Sequence, residues 1–498
     1  MTQATPPPDD IAALAKGGRT NVGGFLIRLI ARIPFLFIAG QWYGAEALGR
    51  LAYAIIVVEF GAQLATMGLK RGLALHLSGE RGDKGVWDAL AIALLTALPP
   101  MLLLMLIPRI MFPNSQINGL ELLLPLVVPA LALVELMLAA LAYRYDVGAT
   151  VRARAIVEPW TISIAAFALS WYSLRDGLLM AYALSIAMAF IASLVPFVRS
   201  YGGPSGWRPE PGGLYRLARL NLPLAAADAV EWGSRRLDLA ILGLFVSPAT
   251  VGIYYVAQQV ASLPQKLKTS FDPILGPVIT RKIADGDLPG IAAQIGQVGF
   301  WILAAQAGIA LALGIPGEAL MDLFGKGREF VGGQGALSFL LLAEVVASTA
   351  VVSEAALVYL ARYRNFLLSL ATILLQAALS FALILVARAA GFNELYQAAG
   401  AALALVLALG FASLAKARLA ARVLGAPVKT WRWALLLATL PAALVGATVW
   451  NLPPGWQPAL GVPLILILFC TIAWRFVFTE RDRRLFRKAA DIEDTVAD

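Results

Sequence analysis

The chain is poor in the residues that build most metal, redox and catalytic sites. Its 498 residues include one cysteine, Cys470, and one histidine, His76. These numbers exclude a disulfide framework and a Cys/His metal site. Charged residues make up only 14% of the chain and hydrophobic residues 59%, a composition far outside the range of soluble globular domains. The sequence therefore predicts an integral membrane protein.

Several motifs are also missing from the sequence. Residues 1–20 contain no basic segment followed by a short apolar core, so we expect no cleaved signal peptide. No glycine-rich loop ends in Lys-Ser or Lys-Thr, and one histidine leaves no basis for Ser/His/Asp catalysis. The longest predicted outer loop, residues 317–332, is too short for a catalytic domain. We therefore expect no enzymatic activity, no cofactor and no metal.

Apolar segments long enough to cross the ~30 Å hydrocarbon core of a bilayer recur along the chain, separated by short polar turns. We count fourteen, which predicts an all-α polytopic membrane bundle with two pseudo-symmetric six-helix lobes and two C-terminal helices. The predicted parts are a cytoplasmic tail (1–21), an N-lobe (22–200), a cytoplasmic linker (201–214), a C-lobe (215–424), spans thirteen and fourteen (425–478) and a C-terminal tail (479–498). The linker is rich in glycine and proline, which end both flanking helices.

Basic residues alternate between the two predicted sides of the membrane. Most of the 40 lysines and arginines fall in every second loop, and only six fall in the remaining loops: Arg50, Arg109, Arg175, Lys326, Arg328 and Arg388. Because cytoplasmic loops are enriched in Lys and Arg, both termini are predicted to be cytoplasmic. The net charge of +9 follows from this bias and does not indicate nucleic-acid binding.

A weak internal repeat supports the two-lobe prediction. Shifting the chain by 203 positions aligns the turn between spans one and two with the turn between spans seven and eight. Arg32 then meets Arg235, and Gly49 meets Gly252. Six spans separate the two copies, so the repeats are predicted to be parallel and related by a pseudo-twofold axis along the membrane normal.

The most informative segment runs from Leu222 to Phe245. It is apolar, yet it carries five ionisable residues: Asp228, Glu231, Arg235, Arg236 and Asp238. On a continuous helix all of them except Arg236 fall within an arc of about 80°. An ionisable group near the bilayer centre costs roughly 2.5–3.5 kcal/mol even on insertion scales. This face is therefore predicted to look into the protein, towards partners or a polar substrate.

Other polar residues within spans extend this set. Arg28 and Arg32 lie on one face of span one, and either a phosphate clamp or an ion pair with Glu59, Asp228 or Glu231 explains them. Glu135, Glu344 and Glu354 lie in otherwise apolar spans, either as proton carriers, with Glu344 our choice, or as bystanders. The predicted substrate-binding set is Arg28, Arg32, Arg235, Arg236, Lys266, Lys268, Gln258 and Gln265. The predicted charge-balancing and ion-coupling set is Glu59, Asp228, Glu231, Asp238, Asp272 and Glu344.

Two equivalent turns, GAEALGRLAY at 44–53 and SPATVGIYYVA at 247–257, resemble those of Wzx-type polysaccharide flippases. These flippases belong to the multidrug/oligosaccharidyl-lipid/polysaccharide exporter superfamily. The pairs Leu263-Pro264 and Gly276-Pro277, with Phe-Asp-Pro at 271–273 between them, are also typical of the eighth helix in that family.

The resemblance implies alternating access of two lobes around a central cavity, in a bacterial inner membrane. It implies flipping of an undecaprenyl-diphosphate-linked oligosaccharide for exopolysaccharide, capsule or lipopolysaccharide O-antigen synthesis, driven by H⁺ or Na⁺ and alongside polymerase or export proteins. By position, it implies diphosphate or sugar contacts for Arg28, Arg32, Arg235 and Arg236. A cation-coupled multidrug antiporter of the same superfamily is the alternative, and a membrane-embedded glycan polymerase or ligase is a third.

Overall fold

The computed structural model describes residues 33–77, 82–117, 119–269 and 279–483, with only the backbone described for residues 75, 263–269 and 481. The predicted residues Arg28, Arg32 and Asp272 lie outside this range. The side chains of Gln265, Lys266 and Lys268 lie outside it as well.

All regular secondary structure in the described residues is helical, which confirms the predicted fold class. In these residues nine helical segments are long and apolar enough to cross a membrane, and Trp433–Val449 is a shorter apolar helix. The count of fourteen spans stays a prediction. Many apolar side chains on these helices are exposed, among them Leu95 and Leu106 of one helix and Ile467 of another. Such faces suit segments that contact lipid rather than water.

The chain divides into two compact units, residues 1–252 and 253–498. The predicted lobe boundaries stay a prediction. The helices of unit 1 are α1 (Gly44–Ala65), α2 (Leu69–Leu77), α3 (Lys84–Leu106), α4 (Val127–Tyr143), α5 (Glu158–Leu169), α6 (Gly177–Tyr201), α7 (Pro211–Ser234) and α8 (Leu237–Leu242). Helix α9 (Pro248–Thr269) contains the division. Unit 2 contains α10 (Leu288–Gly314), α11 (Gly317–Asp322), α12 (Gln334–Leu360), α13 (Arg362–Ala389), α14 (Glu394–Leu424), α15 (Leu436–Val449), α16 (Val462–Ile472) and α17 (Glu480–Arg483).

Helix α7 packs within unit 1, against α1, α2 and α3. The non-helical residues 202–210 precede it, and within them Trp207 donates its indole N–H to the buried carboxylate of Asp88 on α3 at 2.9 Å. This bond ties the residues before α7 to α3. The charged residues of α7 and of the turn after it reach Glu59 of α1 and Arg71 of α2.

The segment 222–245 is not the continuous helix that we predicted. Helix α7 ends at Ser234, the N–H groups of Arg235 and Arg236 bond to carbonyls only three residues back, and α8 begins at Leu237. Gly233 and Ser234 are weak helix formers, which favours a break here. Asp238 therefore lies on a different helix from Asp228 and Glu231.

Helix α1 and the start of α9 approach closely at two glycines. A Cβ atom on Gly49 would lie 1.7 Å from the carbonyl oxygen of Pro248, and one on Gly252 would lie 2.0 Å from that of Ala45. Only glycine fits both positions without movement of the backbone. Next to this contact, the buried Arg50 pairs with the buried Glu121, which Arg175 also approaches, at 3.7 Å.

In unit 2, the segment after α16 is fastened by Asp482. This buried carboxylate accepts hydrogen bonds from Arg432 at 2.5 Å, from the Trp301 indole at 2.8 Å and from the Thr479 hydroxyl at 2.7 Å. Burial by itself raises the pKa of Asp482, but these donors outweigh it and hold the pKa well below its ordinary value. The carboxylate therefore stays charged, and α17 is held against α10.

Candidate functional site

The charged residues predicted around α7 lie together in unit 1, and a basic residue of α2 joins them. Arg71 donates from Nε to Asp228 Oδ1 at 2.7 Å, and its Nη2 contacts Glu231. Arg235 contacts the other oxygen of Glu231 at 3.0 Å. Asp228 is buried, whereas the Arg71 and Arg235 side chains are 50% and 58% exposed. Glu231 thus bridges two accessible guanidinium groups.

Arg236 is held by α1 and by an aromatic face. Its Nη2 lies 3.0 Å from Glu59 Oε2, and its guanidinium carbon lies 5.3 Å from the centre of the Trp232 ring. The Trp232 ring packs on Phe60, 5.1 Å between centres. An arginine over an aromatic face is attracted by the ring quadrupole, which keeps Arg236 directed to one side of the network.

A second ionic cluster adjoins the first, because Lys70 directly precedes Arg71 on α2. Lys70 and Arg154 both contact Glu135, and Arg154 also pairs with Glu158 at 2.6 Å. Arg154 belongs to the π-helical turn Val151–Val157, a type of turn often found at functional sites. Glu135 is therefore not the isolated carboxylate that the sequence suggested.

These residues form one group, which we call the unit-1 ionic network. Its basic members are Lys70, Arg71, Arg154, Arg235 and Arg236, and its acidic members are Glu59, Glu135, Glu158, Asp228 and Glu231. Tyr182 of α6 interacts electrostatically with members of both clusters. The two signs balance, and the exposed members are mostly basic. Such a group can bind an anion when its carboxylates release their arginines.

The remaining predicted residues are placed elsewhere. Asp238 is fully buried in the first turn of α8, a favourable end of the helix for a carboxylate. Gln258 is partly buried on α9, and Glu344 is partly buried on α12. Glu354, predicted to be isolated, pairs with Lys416 of α14 at 3.0 Å. Lys416 also donates to the Ser369 hydroxyl of α13 at 3.0 Å. Glu354 and Lys416 therefore belong to a polar cluster in unit 2, and they are not members of the group described above.

Sequence reasoning missed four network members: Lys70, Arg71, Arg154 and Glu158. The basic three were counted as loop residues because they flank apolar spans. Their spacing from Asp228 in the chain gave no sign of contact. The signal available in the sequence was the pair Lys70-Arg71, placed next to a span that carries the conspicuous Glu59.

A family model covers the part of the chain that holds this arrangement. Residues 44–288 match a family model described as "Polysaccharide biosynthesis protein". The predicted flippase-family resemblance is confirmed. The matched region contains every residue of the unit-1 ionic network. A search of curated proteins found no match to the chain.

Solved structures share the fold. The lipid II flippase MurJ in an inward closed conformation matches with a TM-score of 0.69 at 14% identity, covering 92% of this chain and 98% of that one. An inward-facing multidrug resistance MATE transporter of the MOP superfamily matches with a TM-score of 0.60 at 12% identity, covering 80% and 98%. The Vibrio cholerae MATE transporter VcmN matches with a TM-score of 0.53 at 14% identity, covering 82% and 98%. These neighbours are flippases and transporters, not enzymes, and the chain is a multi-pass membrane protein of that fold.

Proposed function

We propose that the protein is a flippase that moves an undecaprenyl-diphosphate-linked oligosaccharide from the cytoplasmic to the periplasmic leaflet of a bacterial inner membrane. The observation that carries this proposal is the set of accessible guanidinium groups of Arg71, Arg235 and Arg236, held by carboxylates that a ligand can displace. Arginine presents a planar fork of donors that matches phosphate oxygens in pairs. A diphosphate would take the place of Glu231 between Arg71 and Arg235.

The alternative, a multidrug antiporter, needs a site for cationic substrates. The exposed members of the unit-1 ionic network are mainly arginines and a lysine, which repel a cation. Asp228 is more deeply buried than Arg71, and Glu135 is more deeply buried than Lys70. The network therefore favours an anionic substrate, and the match to a polysaccharide biosynthesis family supports the same choice.

A binding and transport assay tests this function. We expect the purified protein to bind a polyprenyl-diphosphate-linked sugar and to show no saturable binding of a panel of cationic drugs. In loaded vesicles, we expect directional flipping to stop when the proton and sodium gradients are dissipated, with Glu344 the proposed carrier. Preference for the cationic drugs would support the antiporter instead, and undiminished flipping without gradients would contradict ion coupling.

We propose that both termini and residues 202–210 are cytoplasmic. The orientation itself rests on the enrichment of Lys and Arg in cytoplasmic loops. The side-chain contacts agree with the predicted grouping of the loops, because Arg50 and Arg175, both predicted to be outer, share Glu121, whereas Arg144, predicted to be inner, contacts Asp83 and Ser200. Reporters that are active only in the periplasm should be active when fused after Ser247 and silent after Gly206. Activity after Gly206 would reverse the proposed orientation.

A further inference from the structure

A groove outside the unit-1 ionic network lies on the surface of unit 2, where α16 continues into the π-helical turn Ala473–Val477. Its volume is about 660 Å³, and it is lined by Cys470, Thr471, Trp474, Arg475 and Arg483. Neither arginine has a carboxylate partner among the described residues of the chain. Arg483 donates from Nη2 to the backbone carbonyl of Arg475 at 3.1 Å, and its buried Nε has no hydrogen-bond partner. Two guanidinium groups thus face one groove with unused donors.

The carboxylate next to Arg483 in the chain already has hydrogen-bond partners. Asp482 bonds to Arg432, Trp301 and Thr479, as described above, so it does not neutralise Arg483. The same bonds fix α17 against α10 and thereby hold Arg483 beside Arg475. Because the position of the two arginines is set before any ligand arrives, little ordering is needed on binding.

The surroundings of the groove match the headgroup level of a bilayer. Trp474 and Phe476 are exposed on the same turn, and the exposed Trp431 and Trp433, 5.7 Å apart between ring centres, precede α15 in the chain beside Arg432. Tryptophan is enriched at the interface between lipid and water. From the groove an exposed apolar line at helical spacing runs along α16 and into the π-helical turn Gln457–Gly461 before it, formed by Ile467, Leu464 and Leu460. A lipid chain would lie along this line with its phosphate at the arginines.

We propose that this groove binds the phosphate of an anionic phospholipid from the surrounding leaflet. Charge complementarity favours this occupant, since the two arginines have no carboxylate partner in the part of the chain that the structure describes and line a groove beside exposed apolar side chains. Such a lipid is already present in the surrounding leaflet. The site is separate from the unit-1 ionic network, so it does not depend on the identity of the transported substrate. Its role is to fasten the end of α16 and the segment after it to the membrane surface.

Lipid binding by the full chain in detergent tests the proposal. The site variant is Arg475→Gln with Arg483→Gln. The matched control is Arg362→Gln with Arg364→Gln, which removes two exposed arginines from the start of α13, also in unit 2. With about 1 kcal/mol per basic residue near an anionic surface, we expect the affinity for phosphatidylglycerol to fall about thirtyfold in the site variant and less than twofold in the control. Phosphatidylcholine with the same acyl chains should bind weakly to every form.

Several outcomes would overturn the proposal. Equal losses of affinity for phosphatidylglycerol in the site variant and the control would indicate that the lipid responds to the general surface charge. An unchanged affinity in the site variant would exclude the groove as the binding site. Displacement of phosphatidylglycerol by an equimolar polyprenyl diphosphate would assign the groove to that lipid.

A second measurement leaves both arginines in place, in case the double variant does not fold. Brominated phosphatidylglycerol should quench tryptophan fluorescence more than brominated phosphatidylcholine does. This difference should be lost in Trp474→Phe and kept in Trp433→Phe. A difference that persists in Trp474→Phe would contradict binding in the groove.

Discussion

Replacement of Arg71 by alanine should greatly reduce the amount of folded protein in the membrane. Arg71 is the partner that pairs with the buried Asp228, and its removal leaves that carboxylate without a counter-ion. Breaking a buried ion pair costs about 3–5 kcal/mol, and we expect the lower end because Arg71 is half exposed. Membrane abundance and the thermal unfolding of the purified variant measure the effect.

Arg235→Ala is the matched control for this prediction. Arg235 pairs with Glu231, whose side chain is 47% exposed, and such exposed pairs contribute only ~0–1 kcal/mol. We therefore expect Arg235→Ala to keep its membrane abundance but to lose glycan export, and Arg235→Lys to keep part of the export. The double variant Arg71→Ala with Asp228→Ala should recover abundance without export. Normal abundance of Arg71→Ala alone would show that Asp228 does not need its counter-ion, and loss of abundance in Arg235→Ala would give that residue a structural role.

Gly252→Ala should disrupt the contact between α1 and the start of α9. The added Cβ would lie 2.0 Å from the carbonyl oxygen of Ala45, a backbone atom that cannot rotate away. Overpacking of this kind typically costs about 1–3 kcal/mol, and the upper end is expected where backbone meets backbone. We expect a lower midpoint of thermal unfolding and reduced export. Gly212→Ala in the first turn of α7, where a Cβ meets nothing within 4 Å, should match the native protein. Equal midpoints for the two variants would contradict the close approach.

The membrane class and the all-helical fold could be predicted from the sequence because a bilayer imposes long apolar segments and leaves little choice of secondary structure. The same constraint made Asp228, Glu231, Arg235 and Arg236 conspicuous. Their partners were not predictable. Arg71 and Asp228 are far apart in the chain, and nothing in either segment encodes the packing of α7 on α2.

The break after Ser234 shows a second limit of sequence reasoning. Apolar length predicts that a segment crosses the membrane, but it does not predict where the backbone hydrogen bonds shift. The segment stays apolar on both sides of Arg235, so hydropathy gave no sign of the interruption. The common face that we drew for Asp238 assumed a helix without this interruption. The partner of Glu354 was missed for a related reason. Lys416 was counted among the basic residues at the membrane surface, so no ion pair between the two was predicted.

The balance of charge in the unit-1 ionic network has an electrical consequence. Moving one elementary charge across the membrane field is worth about 2.3 kcal/mol per 100 mV. Five basic and five acidic groups that move together cross that field without net work, so the transmembrane voltage exerts no net force on the network itself. The voltage then acts on what is added to the network, which under the proposed function is the diphosphate that takes the place of Glu231 between Arg71 and Arg235. Voltage dependence should therefore be concentrated in the movement of the loaded transporter.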